Sequence, residues 1–281
     1  MSIAVVMPRR VPTSLVIGAT VVALFTVLGL LGPVIASYPF DQFNVRERLL
    51  SPDAAHWFGT DEFGRDVLSR VLAGARYSLL MGFGASALSL VLGVPLGLVA
   101  AYYRGLGGEL IMRGVDVMIS VPPILLGLLI LAITEPSLWK TTLAVGLIYV
   151  PIMTRVTRSV ALGLLTEEFV EAAHARGEAA RYILFSEILP NAWPPIIVET
   201  SLRVTFAILL GSALSFLGLG AQPPLSEWGL MIAQSRPFIE QAPWIGLAPG
   251  TVLCLLLIAV NLLGEGFREL LDPRLSGRGV G

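Results

Sequence analysis

Apolar residues run along this chain in long stretches, separated by shorter segments where charges, glycines and prolines gather. A helix rising 1.5 Å per residue needs about 20 apolar residues to cross about 30 Å of hydrocarbon. Six stretches approach or exceed that length: Ser14–Ala36, Ser78–Tyr102, Val117–Ile133, Thr141–Leu165, Trp193–Leu217 and Pro243–Gly264. The second and sixth carry no charge. The third is short and bracketed by Asp116 and Glu135, and the fourth holds Arg155 and Arg158 in its second half. The pattern predicts an all-α membrane protein with six transmembrane helices. Arg9 and Arg10 precede the first stretch, which is longer than the roughly 7–15 residues of a cleaved signal's apolar core. A retained first span is expected.

Composition supports that reading: 55% of the 281 residues are hydrophobic and only 14% charged, with a mean hydropathy of +0.79. A soluble domain carries about 25% charged residues. The net charge of −1 leaves no basic face for a nucleic acid. A single cysteine, Cys254, permits neither an intrachain disulfide nor a cysteine-based metal site. The lone lysine, Lys140, follows Trp139 rather than glycine, so the chain has no G-x-x-x-x-G-K-[ST] loop with which to bind ATP.

Charge distribution orients the spans. With both termini on one side, that side collects Arg9, Arg10, Arg104, Arg113, Arg155, Arg158, Arg176, Arg181, Arg268, Arg274 and Arg278. The other side holds Arg46, Arg48, Arg65, Arg70, Arg76, Lys140 and Arg236, mostly in one long segment diluted by acids. The first set marks the cytoplasm. The expected order is a cytoplasmic start and first span (1–36), an outward segment (37–77), a core (78–266) with a cytoplasmic segment (166–191) and an outer loop (218–242), and a cytoplasmic tail (267–281). Trp57, Trp139, Trp193, Trp228 and Trp244 all fall beside span ends or in outer loops, where indole suits the headgroup region.

Several features bear on mechanism. In the segment 166–191, Thr166 can cap a short helix whose first turn carries Glu167 and Glu168, with Gly177 as its left-handed terminator. A second short helix, Glu178–Leu189, is expected to stop at Pro190. Ala172, Ala173 and Ala175 offer a low-relief surface and Phe169 an apolar anchor for a partner; the same composition also reads as a solvated loop. In the outward segment, Gly59 and Gly64 permit turns while Asp61, Arg65 and Asp66 can pair. Val67, Leu68, Val71, Leu72 and Ala75 then repeat at helical spacing, with Arg65, Arg70 and Arg76 available to a polar face: an interfacial helix leading into the second span. That stretch reads either as a brace or as a docking surface. Glu199 and Arg203 stand one turn apart inside the fifth span and can pair. They either order the bundle near its cytoplasmic end or line a path for a zwitterionic solute. Gly93 and Gly97 form a small-residue packing face, and Val121-Pro122-Pro123 should kink the third span. His56 and His174 fall on opposite sides of the membrane, so no metal site is expected. The outer loop, with its apolar Leu230-Met231-Ile232, should fold back onto the outer membrane face.

Glu171-Ala172-Ala173, three residues, Gly177, ten residues and then Ile188-Leu189-Pro190 resembles the EAA signature of binding-protein-dependent ABC importer permeases. His56-Trp-Phe-Gly-Thr60-Asp61-Glu-Phe-Gly64-Arg65-Asp66 through Arg70, Leu214-Ser-Phe-Leu-Gly218-Leu-Gly220 with Pro223-Pro224 and Trp228, and Asn261-Leu-Leu-Gly264 through Asp272-Pro273-Arg274 are similar to the dipeptide, oligopeptide and nickel class. The likeness covers about residues 15–275. It implies a first helix outside a five-helix permease core, and the second permease of a pair in a bacterial or archaeal inner membrane. Phe169, Glu171, Ala172, Ala173 and Gly177 would then belong to a coupling helix seated on a cytoplasmic ATPase. Asp61, Arg65, Asp66 and Trp228 would meet an extracytoplasmic binding protein, and Glu199 and Arg203 would line the pathway. The implied partners are a second homologous permease, two ATPase subunits and the binding protein. There would be no catalytic residue and no cofactor on this chain, with ATP and magnesium held by the ATPases. Di- or oligopeptides are the implied substrate, with nickel or another small solute as the alternative. A self-contained secondary transporter using Glu199 and Arg203 as an ion site is the rival of a different class.

Overall fold

Hydrocarbon offers a peptide group no hydrogen-bond partner, so the apolar stretches must satisfy their backbones internally. In the computed structural model, which describes residues 11–103 and 105–271, they do so as α-helices. The elements are α1 (Thr13–Ile35), α2 (Val67–Tyr102), α3 (Leu106–Ser120), α4 (Pro123–Ala132), α5 (Leu138–Leu164), α6 (Glu168–Ala175), α7 (Ala180–Tyr182), α8 (Leu189–Phe216), α9 (Trp228–Ser235) and α10 (Trp244–Leu271). A π-helical segment, Ile183–Ile188, joins α7 to α8, so that Ala180–Phe216 is one apolar rod of 37 residues. Among the described residues five helices are long and apolar enough to cross a membrane, and the bent pair α3–α4 makes a sixth crossing if it counts as one span. Arg9, Arg10, Arg104, Arg274 and Arg278, with the motif end Asp272-Pro273-Arg274, lie outside the described residues.

Three boundaries differ from the sequence reading, each for a local reason. The stretch Val117–Ile133 is the end of α3 and all of α4, set at 90° to one another. Val121 precedes Pro122 and Pro122 precedes Pro123; both adopt extended ψ values (130° and 134°), because a following proline ring crowds the helical region. Pro190 does not stop the second short helix of the segment 166–191. It falls in the first turn of α8, where its missing N–H costs little, just after the π turn has shifted the hydrogen-bond register. The interfacial helix before the second span is not separate: α2 runs unbroken for 36 residues.

The glycine pair of α2 sets the tightest packing in the core. A Cβ on Gly93 would lie 2.7 Å from Met153 Cβ, and one on Gly97 would lie 2.6 Å from the Thr154 carbonyl, so α2 and α5 touch backbone to side-chain root. This is the packing role expected of them. α1 lies against α10 in the same manner, with Gly18 over Leu263. Buried apolar residues form three clusters. An outer one joins Phe25, Val71, Trp228, Met231, Ile245 and Leu256. A middle one joins Ala85, Leu131, Tyr149 and Leu214, and an inner one joins Leu98, Met153, Val170, Ala173, Ile183 and Ile188.

Candidate functional site

The third of these clusters carries the segment 166–191. Glu167, not Thr166, is the N-cap of α6 and offers no side-chain bond; the Thr166 hydroxyl instead donates to the Gly163 carbonyl at 2.8 Å. The helix end follows the expectation closely. Gly177 has φ +76°, its N–H donates to the His174 carbonyl (2.9 Å), and the Glu178 N–H donates to the Ala173 carbonyl (3.2 Å). Those two bonds are a Schellman termination, which only glycine enters without strain. Nothing lies within 4 Å of where a Gly177 Cβ would stand, so a substitution there would act through φ rather than through a clash.

The inward and outward faces of α6 are distinct. Val170 and Ala173 are fully buried in the inner cluster, and Phe169 packs half-buried against it. Ala173 therefore fixes the helix to its own chain, which corrects its placement on a partner-facing surface, while Phe169 packs partly against the same cluster. Glu168, Glu171, Ala172 and Ala175 remain exposed. His174 stacks on Tyr102 at the end of α2, with ring centroids 6.0 Å apart. Arg176 bonds Glu187 across 3.0 Å, tying the end of α6 to the π segment beneath α8. A rigid short helix, a glycine elbow and a π turn thus lead in sequence into the 37-residue rod.

On the opposite side, residues 44–70 fold into a brace. Asp61 accepts from the Phe63 and Arg65 N–H groups (2.8 and 3.0 Å) through one oxygen, and from Arg65 Nε and Arg70 Nη1 (2.7 and 2.5 Å) through the other. Arg70 also donates to Gln234 of α9 at 2.9 Å. Asp66 caps α2 by accepting from the Ser69 N–H (2.7 Å), and His56 Nδ1 lies 2.9 Å from its other oxygen. Gly64, at φ +72°, passes so close to the Asn44 carbonyl that a Cβ would overlap it. Asp61, Arg65, Asp66 and Arg70 are each at most 5% exposed. They cannot present a docking surface, and the polar face expected of Arg65 and Arg70 is turned inward. His56 is buried as well.

Trp228 corrects two expectations. It is fully buried, with Nε1 donating to the Val71 carbonyl at 3.0 Å, and so it neither sits at the headgroups nor faces a binding protein. α9 enters the outer mouth of the bundle between α2, α8 and α10 rather than lying on the membrane face. Its N-cap is Glu227, wholly buried, which accepts from the Gly229 and Leu230 N–H groups (both 2.9 Å) and from the Ser212 hydroxyl (3.0 Å). Desolvation raises the Glu227 carboxyl above its ordinary range. Desolvation, then the neighbouring Asp61 charge, raises Glu62 likewise.

Glu199 and Arg203 do pair, at 2.8 Å, and are 17% and 13% exposed. The guanidinium also stands over the rings of Tyr149 and Phe206, 5.4 and 5.0 Å from their centroids. The pair lies near the midpoint of the continuous rod Ala180–Phe216. Glu47, Glu227 and Gln234 went unassigned in the sequence reading; only Glu227, one residue ahead of an apolar helix, had a legible position as a cap. Among the described residues no group of three or more histidines, cysteines or carboxylates is placed to hold a metal.

A family model described as the inner membrane component of binding-protein-dependent transport systems matches residues 93–277. The dipeptide transport system permease protein DppC of Alkalihalophilus pseudofirmus is 43% identical over 261 residues, covering 93% of this chain and 86% of that one. The di/tripeptide permease DppC of Pseudomonas aeruginosa is 40% identical, covering 92% and 88%, and the probable D,D-dipeptide permease DdpC of Escherichia coli is 37% identical, covering 94% and 88%. Among solved structures, the MetNI methionine ABC transporter in inward-facing conformations aligns with a TM-score of 0.60 at 17% identity, over 72% of this chain and 96% of that one. That likeness is one of fold.

Proposed function

The chain belongs to the family of binding-protein-dependent transport system inner membrane components, and from that premise we propose that it forms half of the translocation pathway for di- or oligopeptides. It is a non-catalytic permease subunit of an ABC importer. Transport energy comes from ATP and magnesium on two partner ATPases, a second homologous permease completes the pathway, and an extracytoplasmic binding protein delivers the peptide. The chain resides in the inner membrane with both termini cytoplasmic.

The observation that carries this reading is the geometry of α6. Its exposed edge (Glu171, Ala172, Ala175) is low in relief and mildly acidic, while its buried edge is fixed to the inner ends of the spans. A partner pressing on the exposed edge moves the elbow at Gly177, and the Arg176–Glu187 bridge carries that displacement to the foot of α8. Glu171 and Ala172 are the contact residues, Gly177 the elbow, and Phe169 with Ala173 the attachment. Glu199 and Arg203, midway along the rod, line the path.

The test is reconstitution with the second permease, the ATPases and the binding protein in liposomes, reading ATP-driven uptake of a labelled dipeptide against nickel ion. Dipeptide uptake is expected, with Gly177→Val lowering it at least about tenfold while the complex still assembles and hydrolyses ATP, because a β-branched residue cannot hold φ +76°. Undiminished import by that variant would overturn the coupling role, and uptake of nickel but not dipeptide would overturn the substrate.

A further inference from the structure

The two buried aspartates of the brace are not balanced alike. Asp61 is met by two guanidinium groups, those of Arg65 and Arg70. Asp66 has no arginine or lysine within ion-pairing distance among the described residues. Its partner is His56, whose Nδ1 lies 2.9 Å from one oxygen while Nε2 lies 3.5 Å from Glu47. Even a protonated imidazole brings one positive charge to two carboxylates, so this set is net negative. The other Asp66 oxygen accepts from the Ser69 N–H and hydroxyl, at 2.7 and 2.6 Å. An ionised carboxylate with those partners still has room for one more donor.

Asp66 also borders open space. A cavity of about 560 Å³ lies between the end of α1 and the start of α2, lined by Ile35, Tyr38, Trp57, Asp66, Ser69 and Leu72. Trp57 is 70% exposed and stands at the rim, whereas Asp66 and Ser69 are buried at the base. The bilayer edge runs past this cavity. α1, with 23 residues, is roughly 34 Å long against roughly 30 Å of hydrocarbon, so its last turn reaches the headgroups. Gly32 packs on Leu72 and Gly29 on Arg76, which marks the same level on α2. Arg76 is exposed, with its guanidinium over the rings of Phe40 and Tyr77 at 5.8 and 4.4 Å, a basic and aromatic grouping suited to the interface. Val34 and Ile35 are exposed apolar surface beside it. The cavity opens where acyl chains give way to headgroups.

We propose that this cavity binds a phospholipid whose headgroup ends in a primary ammonium, as in phosphatidylethanolamine. The ammonium donates to Asp66 and lies against the rings of Trp57 and Tyr38, and the acyl chains leave along Ile35 and Leu72. A quaternary ammonium has no N–H to give the carboxylate, and an anionic headgroup is repelled by a net negative wall. The inference goes beyond the proposed function and needs only that α1 crosses the membrane.

The purified full-length chain is mixed with equimolar phosphatidylethanolamine, phosphatidylcholine and phosphatidylglycerol of matched acyl chains, and retained lipids are counted by native mass spectrometry. One phosphatidylethanolamine per chain is expected, favoured at least about fivefold over each of the others, the scale of a hydrogen bond to a charged group. Asp66→Asn keeps a residue able to cap α2 but removes the charge, and is expected to reduce that preference to within about twofold. Ala55→Trp, in the cavity wall, fills the space with the carboxylate left in place, and is expected to do the same. It decides the matter if Asp66→Asn fails to fold. Equal retention of the three lipids, or of none, would reduce the cavity to a surface without headgroup recognition. A preference that survives both substitutions would put the lipid elsewhere. Displacement of the lipid by excess free dipeptide, which carries the same ammonium, would make this a site for soluble amines. Each of these outcomes overturns the inference.

Discussion

Asp61 counterbalances two guanidinium groups in a place that water hardly reaches, and this single carboxylate governs the outer brace. Asp61→Asn keeps the shape but leaves Arg65 and Arg70 without their main counter-charge, a change that costs about 3–5 kcal/mol when a buried pair is broken. Thermal unfolding in detergent should register it, and the double variant Asp61→Asn, Arg70→Met should recover part of the loss. Glu227 behaves in the opposite sense. Its carboxyl is raised above the ordinary 4.5 by desolvation, so the native state binds that proton more tightly than the unfolded chain. Its contribution to stability is then greatest below about 4.5 and falls as pH rises toward the shifted value. Glu227→Gln, which keeps one of the two accepting oxygens, should flatten that dependence, while Glu227→Ala should lose about 0.5–2 kcal/mol of capping. The pairing of Asp61 with Arg65 was legible from spacing alone. The link of Asp61's other partner, Arg70, to Gln234 was not, because the two are 164 residues apart.

At the scale of elements, the π turn between α7 and α8 is the feature least legible in sequence. Ile183–Ile188 looks like an ordinary helix bound to end at proline, and only the extra residue in the turn reconciles Pro190 with continuity. Deleting one residue from this segment should restore α-helical register and rotate everything upstream by about 100° relative to α8, one residue's share of a turn. The expected outcome is an assembled complex whose ATPase activity no longer responds to the binding protein, measured as loss of stimulated over basal hydrolysis. The α3–α4 bend was legible in kind, since two consecutive prolines forbid a straight helix. Its 90° angle was not, because packing of both arms on α5 sets it.

For the whole molecule, apolar run length located α1, α5 and the start of α10 to within a few residues, because hydrocarbon thickness constrains them directly. It failed where helices continue past the membrane: α2 extends outward to Val67, and the rod reaches inward to Ala180. Those extensions are polar enough to read as loops but are held helical by neighbours. α1 shows the converse, being nearly featureless apart from its glycines. Gly18→Leu should force α1 off the α10 backbone, since even a Cβ would stand 2.4 Å from the Leu263 nitrogen. A loss of about 1–3 kcal/mol is expected from such overpacking, visible as a lower midpoint in thermal unfolding of the purified subunit.

The Arg70–Gln234 link also sets a rule for building hybrids with relatives. The stretch 44–70 and the stretch 227–234 are distant in the chain yet form one interlocked part, since Asp61 neutralises Arg70 and Arg70 holds α9. Grafting either stretch alone from a donor permease imports half a lock; exchanging both together transplants a self-consistent lid.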